Sequence, residues 1–158
     1  MIMIVRPAEK RDIPRIYEML GQILRLHAKL RPDVFRADRE KFTPEELEEL
    51  FGREDRPAFV ADEGGVCVGY ALCEIKEPKI PQMLKRKVLY LDDLCVDESA
   101  RGNGIGRALV EFLRGYAREI GADSLELNVW ECNADAVAFY ERMGFATQCR
   151  HMEIPLKK

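Results

Sequence analysis

Apolar positions along this chain recur at two spacings, every second residue or every third and fourth, and the switches between them mark out its elements. Ile2 to Arg6 predicts a short strand stopped by Pro7. Ile13, Ile16, Tyr17, Leu20, Ile23, Leu24 and Leu26 or His27 then form one helical face, with Asp12 as N-cap and Pro14 just inside; the face breaks before Arg31-Pro32. A second, short helix carries a full set of start signals. Thr43 is its N-cap, Pro44 follows, Glu46 completes a capping box, Phe42 and Leu47 form a staple, and the helix ends near Gly52.

Strand spacing returns over Ala58 to Asp62 and Val66 to Lys76, which flank Glu63-Gly64-Gly65, a hairpin turn by composition. Pro78 to Lys87 reads as a loop, and Val88 to Val96 as the next strand. Ile105, Leu109, Phe112, Leu113, Tyr116 and Ile120 give a third helix closed by Gly121, and Ser124 to Trp130 alternates as a strand. Asn133 caps a fourth helix with Val137, Tyr140 and Met143 on one face, ended by Gly144, and Phe145 to Leu156 predicts a last strand. The expectation is one α+β domain over residues 1–158, with about six strands in a mostly antiparallel mixed sheet and four helices.

Composition narrows what such a domain could bind. With 47% hydrophobic and 34% charged residues the 158-residue chain is globular, and its net charge of −3 gives no general attraction to nucleic acid or anionic membrane. A small ligand at a local site is therefore favoured over a polymer. The five cysteines form no C-x-x-C pair and mostly sit in apolar runs, which predicts reduced thiols and a cytoplasmic location. Two distant histidines predict no metal site, and no signal segment or membrane-length apolar run is expected.

The local site is the run Arg101-Gly102-Asn103-Gly104-Ile105-Gly106, between a strand pattern and a helix pattern. Glycines here let backbone N–H groups approach a ligand, and the helix start behind them adds unpaired donors, so the natural occupant is an anion. Gly106 is followed by Arg107-Ala108 and not Lys-Ser/Thr, which fits a Walker loop badly and leaves a glycine-loop nucleotide-binding protein as the least favoured reading. The G-x-G-x-G spacing, two-thirds along the chain, also departs from the dinucleotide fingerprint.

Taken together, the element order, the strand Tyr90-Leu91-Asp92-Asp93-Leu94-Cys95-Val96, the Arg101-x-x-Gly104-x-Gly106 loop, and Leu125 to Trp130 followed by Asn133, Ala136, Tyr140, Gly144 and Phe145 resemble the GNAT superfamily of acyl-CoA N-acyltransferases. The resemblance spans nearly the whole chain and implies a sheet splayed between the fourth and fifth strands. The pantetheine arm of acetyl-CoA would then lie along Leu94, Cys95 and Val96, its pyrophosphate on Arg101, Gly102, Asn103, Gly104, Ile105, Gly106 and Arg107, with Asn133 as a further contact.

The resemblance also implies an acceptor amine, a base and an acid. A free alkylamine of pKa ~10 must lose a proton before or during acylation. Asp92 and Asp93, with paired acids as in diamine acetyltransferases, are the candidate bases; as strand neighbours they should point to opposite faces, and Asp92 is the one expected to face the amine. Tyr140 is the candidate acid for the departing thiolate, although its place on an apolar stripe equally suits packing. His27, Phe35, Asp92 and Asn128 are expected to line the acceptor site, and the Pro78 to Lys87 loop to wall it. Transfer is expected to be direct, in a ternary complex, because no histidine neighbours Cys95 to activate it as a nucleophile. The acceptor is expected to be a small amine. A protein N-terminus or lysine, or a non-catalytic acyl-CoA sensor, are the alternatives, and the resemblance leaves a homodimer open.

Overall fold

The computed structural model describes residues 2–157 and divides into two compact units, Met1–Asn128 and Val129–Lys158. The first unit is a five-stranded sheet in sequential order, β1 (Met3–Pro7), β2 (Ala58–Glu63), β3 (Val66–Lys76), β4 (Val88–Val96) and β5 (Ser124–Leu127). Helix α1 (Ile13–Leu30) and helix α2 (Pro44–Phe51) supply one side, and helix α3 (Ile105–Glu119) the other. β1 to β4 are antiparallel neighbours, whereas β5 joins β4 in parallel after the α3 crossover. The architecture is thus the mixed α+β sheet that the resemblance implied.

The core on the α1 side contains Ile13, Ile16, Met19, Leu20, Leu47, Val60, Tyr70, Leu72 and Cys95, all buried. Thr43 caps α2 as its sequence predicts, its Oγ1 accepting from Glu46 N at 3.1 Å. The Glu46 carboxylate turns to Arg39 at 2.7 Å, so only half of the capping box forms. Asp12 also departs from expectation, because its side chain makes no cap to α1. It accepts two hydrogen bonds from the Arg6 guanidinium, at 2.8 and 2.9 Å, while Arg6 Nε holds Asp62 at 2.8 Å. The two-bond guanidinium fork takes up the carboxylate, and here it ties β1, β2 and the start of α1 together.

Two approaches set the position of the glycine run. Gly69 on β3 lies so near α3 that an added Cβ would stand 3.1 Å from both Cys95 O and Ile105 Cγ2, so the residue lets the first turn of α3 rest on the sheet. On the other side, the buried Asp97 accepts from Gln22 Nε2 at 2.8 Å, Arg15 Nη2 at 3.0 Å and Ser99 Oγ at 2.6 Å. Gln22 Oε1 in turn accepts from Glu98 N at 3.1 Å. α1 thereby clamps the chain as it leaves β4.

In the second unit, α4 (Ala134–Arg142) follows Asn133, whose Oδ1 accepts from Ala136 N at 3.3 Å, the cap its sequence predicts. Two strand predictions need correction. β5 stops at Leu127 and does not reach Trp130, because its ladder with β4 ends at the pair Leu91 and Leu127. The sixth strand predicted over Phe145 to Leu156 forms no ladder among the described residues, since alternation specifies a face but a strand also needs a partner.

The hydrogen bonds to Asp97 hold its carboxyl down at about 2, against 3.8 for an ordinary aspartate. This stabilisation is complete above pH 4 and is lost as pH falls toward 2, and it amounts to about 2 kcal/mol. Asp97→Asn is therefore expected to destabilise the protein by about that much at neutral pH and to flatten the acid limb of its stability curve, measured by denaturant unfolding between pH 2 and 7.

Candidate active site

β4 carries the site because its two halves have different neighbours. Val88 to Leu91 pair with Ser124 to Leu127 on one edge and with β3 on the other; from Asp92 onward the ladder to β5 stops, while pairing to β3 continues to Val96. The splay implied by the resemblance is present. At the same point the register with β3 slips: Leu91 opposes Cys73, Asp93 opposes Leu72, and Asp92 is the extra residue of a β-bulge.

The bulge resets the alternation of the strand. Cys73, the partner of Leu91, lies beside Tyr116 of α3, whereas Leu72, the partner of Asp93, belongs to the core under α1. Leu91 and Asp93 would share a face in a regular strand, and here they occupy opposite ones. Asp93 thus enters the α1 side, where the Tyr70 hydroxyl donates to its Oδ2 at 3.3 Å. Burial raises the Asp93 carboxyl from 3.8 to about 6, opposed by the charge of Lys41 and assisted by that of Asp92. Tyr70, pushed well above its usual range by the same burial, stays a hydrogen-bond donor.

Asp92 has a different environment. Its Oδ2 lies 3.2 Å from Arg56 Nη2 and 3.2 Å from Lys41 Nζ, and Lys41 also donates to its backbone carbonyl at 3.3 Å. The two adjacent acids are therefore unequal: Asp92 is held by two cations, and Asp93 has a phenol as its hydrogen-bonding partner and a proton affinity near neutrality. Tyr70, Lys41 and Arg56 were not singled out from the sequence. Tyr70 lies in an apolar strand, where nothing distinguishes a buried tyrosine with a task from one that only packs.

Beyond the bulge, Leu94, Cys95 and Val96 keep their β3 partners only. Cys95 is buried with its Sγ 3.7 Å from Met19 O, and burial pushes its thiol up to about 12, so at neutral pH it is no nucleophile. Arg101 Nε donates to Val96 O at 3.3 Å, folding the loop back on the strand end, and Asn103 Nδ2 donates to Ala100 O at 3.1 Å within the turn. Gly102 and Gly104 have φ of +82° and +76°, and a Cβ built on either meets nothing within 4 Å. Their glycine character serves the backbone conformation and leaves open space above the turn. Gly106, in contrast, has no positive φ and sits in the first turn of α3. The N–H groups of Ile105, Gly106 and Arg107 start a 15-residue helix, with Arg101 and Arg107 exposed beside them. A turn of this shape fits a pyrophosphate, because its donors and the helix dipole converge where no side chain intrudes.

Of the expected acceptor-site residues, His27 and Phe35 meet at 4.8 Å between ring centroids, at the end of α1 and in the turn after it. Burial and the charge of Lys41 push the His27 imidazole down from its usual range, which favours the neutral ring. The Asn128 backbone donates to the Tyr90 hydroxyl, which places it just past the end of β5. The end of the Pro78 to Lys87 loop is tied to the start of β5 and the end of α3: Arg86 reaches Ser124 Oγ at 2.8 Å and Lys87 Nζ reaches Ile120 O at 3.0 Å. In the second unit, Tyr140 stands between Phe139 and Phe145, at 5.2 and 5.6 Å between centroids.

Known proteins share this arrangement. The Acetyltransferase (GNAT) family model matches residues 23–145. A solved structure of a mutant BH1408 protein from Bacillus halodurans superposes with a TM-score of 0.93 at 32% identity, covering 98% of this chain and 99% of that one. An uncharacterised N-acetyltransferase of Methanocaldococcus jannaschii is 35% identical over 96 residues, which is 61% of this chain and 42% of the relative. The chain spans less than half the length of the curated relatives it matches. An aminoglycoside N-acetyltransferase solved in complex with CoA shares the fold alone, with a TM-score of 0.73 at 15% identity and coverage of 98% and 100%. The family match extends over most of the chain, from α1 through the bulged strand and glycine turn to the end of α4, and this chain belongs to the GNAT family of acetyltransferases.

Proposed function

We propose that this chain is an acetyl-CoA-dependent N-acetyltransferase that acts on a primary amine of a small molecule by direct transfer. The observation that carries the reading is Asp93: a carboxyl on the half of β4 that has left β5, buried enough to titrate at about 6. A base works best with a pKa close to the working pH, because it is then both ionised and able to hold a proton.

The residues divide the work by position. Backbone N–H groups from Gly102 to Arg107 hold the pyrophosphate, and the β4 backbone from Leu94 to Val96 offers the open edge to the pantetheine arm. Bound there, acetyl-CoA supplies the acetyl group as a thioester. Solution provides neutral amine as a minor fraction, since an alkylamine has a pKa near ~10. As the N–C bond forms, the remaining N–H becomes acidic enough for the Asp93 carboxylate to accept its proton. The Tyr70 hydroxyl holds that carboxylate in orientation; Tyr140, on the strength of the family resemblance alone, is the acid proposed for the sulfur as the C–S bond breaks. With Cys95 held as a thiol, direct transfer to the amine is favoured over an acyl-enzyme.

Three variants and a pH profile test this. Asp93→Asn should lower kcat/KM for the amine by roughly a hundredfold or more, and the wild-type profile should fall below pH 6 as the carboxylate protonates. Full activity in that variant, or a profile flat through pH 6, sinks the assignment. Tyr140→Phe should lower kcat by about tenfold or more with little change in KM for acetyl-CoA, and undiminished turnover removes Tyr140 as the acid. Gly104→Val places a β-branched residue at φ +76° and should raise the Kd for CoA by more than about tenfold in a protein that stays folded by circular dichroism. If the folded variant still binds CoA normally, the turn is only a connection.

A further inference from the structure

The surroundings of Asp92 bear on what kind of amine the site accepts. Paired acids beside a reaction centre suggest a polycation as substrate, one carboxylate for each ammonium group. In this chain the pair is already half neutralised. Asp92 Oδ2 has Arg56 Nη2 and Lys41 Nζ each at 3.2 Å, and Arg56 also lies 3.8 Å from Glu74. Arg56 is largely buried, with 14% of its side chain exposed, and its two acidic partners hold it in place. Lys41 differs: 47% of its side chain is exposed, it approaches from the segment between α1 and α2, and its ammonium stands over the Phe42 ring at 5.6 Å from the centroid.

Lys41 therefore occupies the more exposed side of the Asp92 ion pair. Its charge acts on Asp93 and on His27 alike, so it stands near both the proposed base and the aromatic wall made by His27 and Phe35. That wall is aromatic and holds no acidic side chain, so it adds no second anchor for a cation.

We propose that Lys41 is a specificity-determining residue of the acceptor site: its ammonium takes the place beside Asp92 that the second cationic group of a diamine would need, and so selects acceptors with one amino group near the reaction centre. The proposal rests on the acetyltransferase reading and on Asp93 as its base. Asp93 remains for the reacting nitrogen, while Asp92, matched by Arg56 and Lys41, holds no unbalanced charge to offer. A distal ammonium entering the site would meet Lys41 at close range, and like charges a few ångströms apart in partly desolvated surroundings repel.

The test compares pentylamine with cadaverine, which differ only by the second amino group, in the full-length protein and its Lys41→Gln and Lys41→Arg variants. In Lys41→Gln the ratio of kcat/KM for cadaverine to that for pentylamine should rise about tenfold at low salt, and the gain should shrink as salt screens it. Lys41→Arg should keep the wild-type ratio. The groups that act on Asp93 are Tyr70 from β3, Asp92 from its own strand and Lys41. Removing the Lys41 charge should therefore also move the acid limb of the pentylamine profile to higher pH, a shift that a merely structural role for Lys41 would not produce. Turnover with an unchanged ratio in Lys41→Gln, or an acid limb that stays in place, overturns this inference alone. A wild-type protein that binds CoA and acetylates neither amine overturns the acetyltransferase reading together with it.

Discussion

β4 outlasts its neighbour. It is nine residues long, β5 is four, and the parallel ladder between them ends at Leu91 and Leu127. Backbone donors and acceptors beyond that point have β3 on one edge and no β5 on the other, and unpaired strand backbone is a ready template for an extended ligand. The Asp92 bulge falls at this parting, and it turns Asp93 to the α1 side of the sheet. The rest of the site depends on that one discontinuity.

What keeps the parting in register is packing around it. Asp97 is clamped to α1 through Gln22 and Arg15, Arg101 bends back onto Val96, and Gly69 admits the first turn of α3 against β3. These contacts fix where the chain leaves β4, and hence where the left-handed turn at Gly102 and Gly104 presents its N–H groups. A strand end, a turn and a helix start are thus held as one piece of backbone, which is what a long ligand with a phosphate at one end requires.

Electrostatics then separates two acids that are neighbours in sequence. Asp92 is held by two cations, whereas Asp93 is half-buried on the α1 side beside a tyrosine hydroxyl and is pushed toward neutrality. Two residues of one type, adjacent in sequence, are thus given different partners by the fold, cations for one and a phenol for the other.

The sequence by itself determined the elements and the glycine turn, because these rest on local rules. Thr43 and Asn133 cap the helices they precede, β4 runs from Val88 to Val96 as its apolar run predicts, and the run from Arg101 opens α3. Spacing and backbone freedom are properties of neighbouring residues, and neighbouring residues are what a sequence displays. It determined less where a partner far along the chain decides. Asp12 as a cap, β5 to Trp130 and the strand over Phe145 to Leu156 followed local patterns that Arg6 and the ladder limits overrode. Only the tertiary structure decided how the two acids differ, since Lys41, Arg56 and Tyr70 lie 51, 36 and 23 residues from the acids they touch. A bulge is likewise a mismatch between two strands and is legible in neither alone.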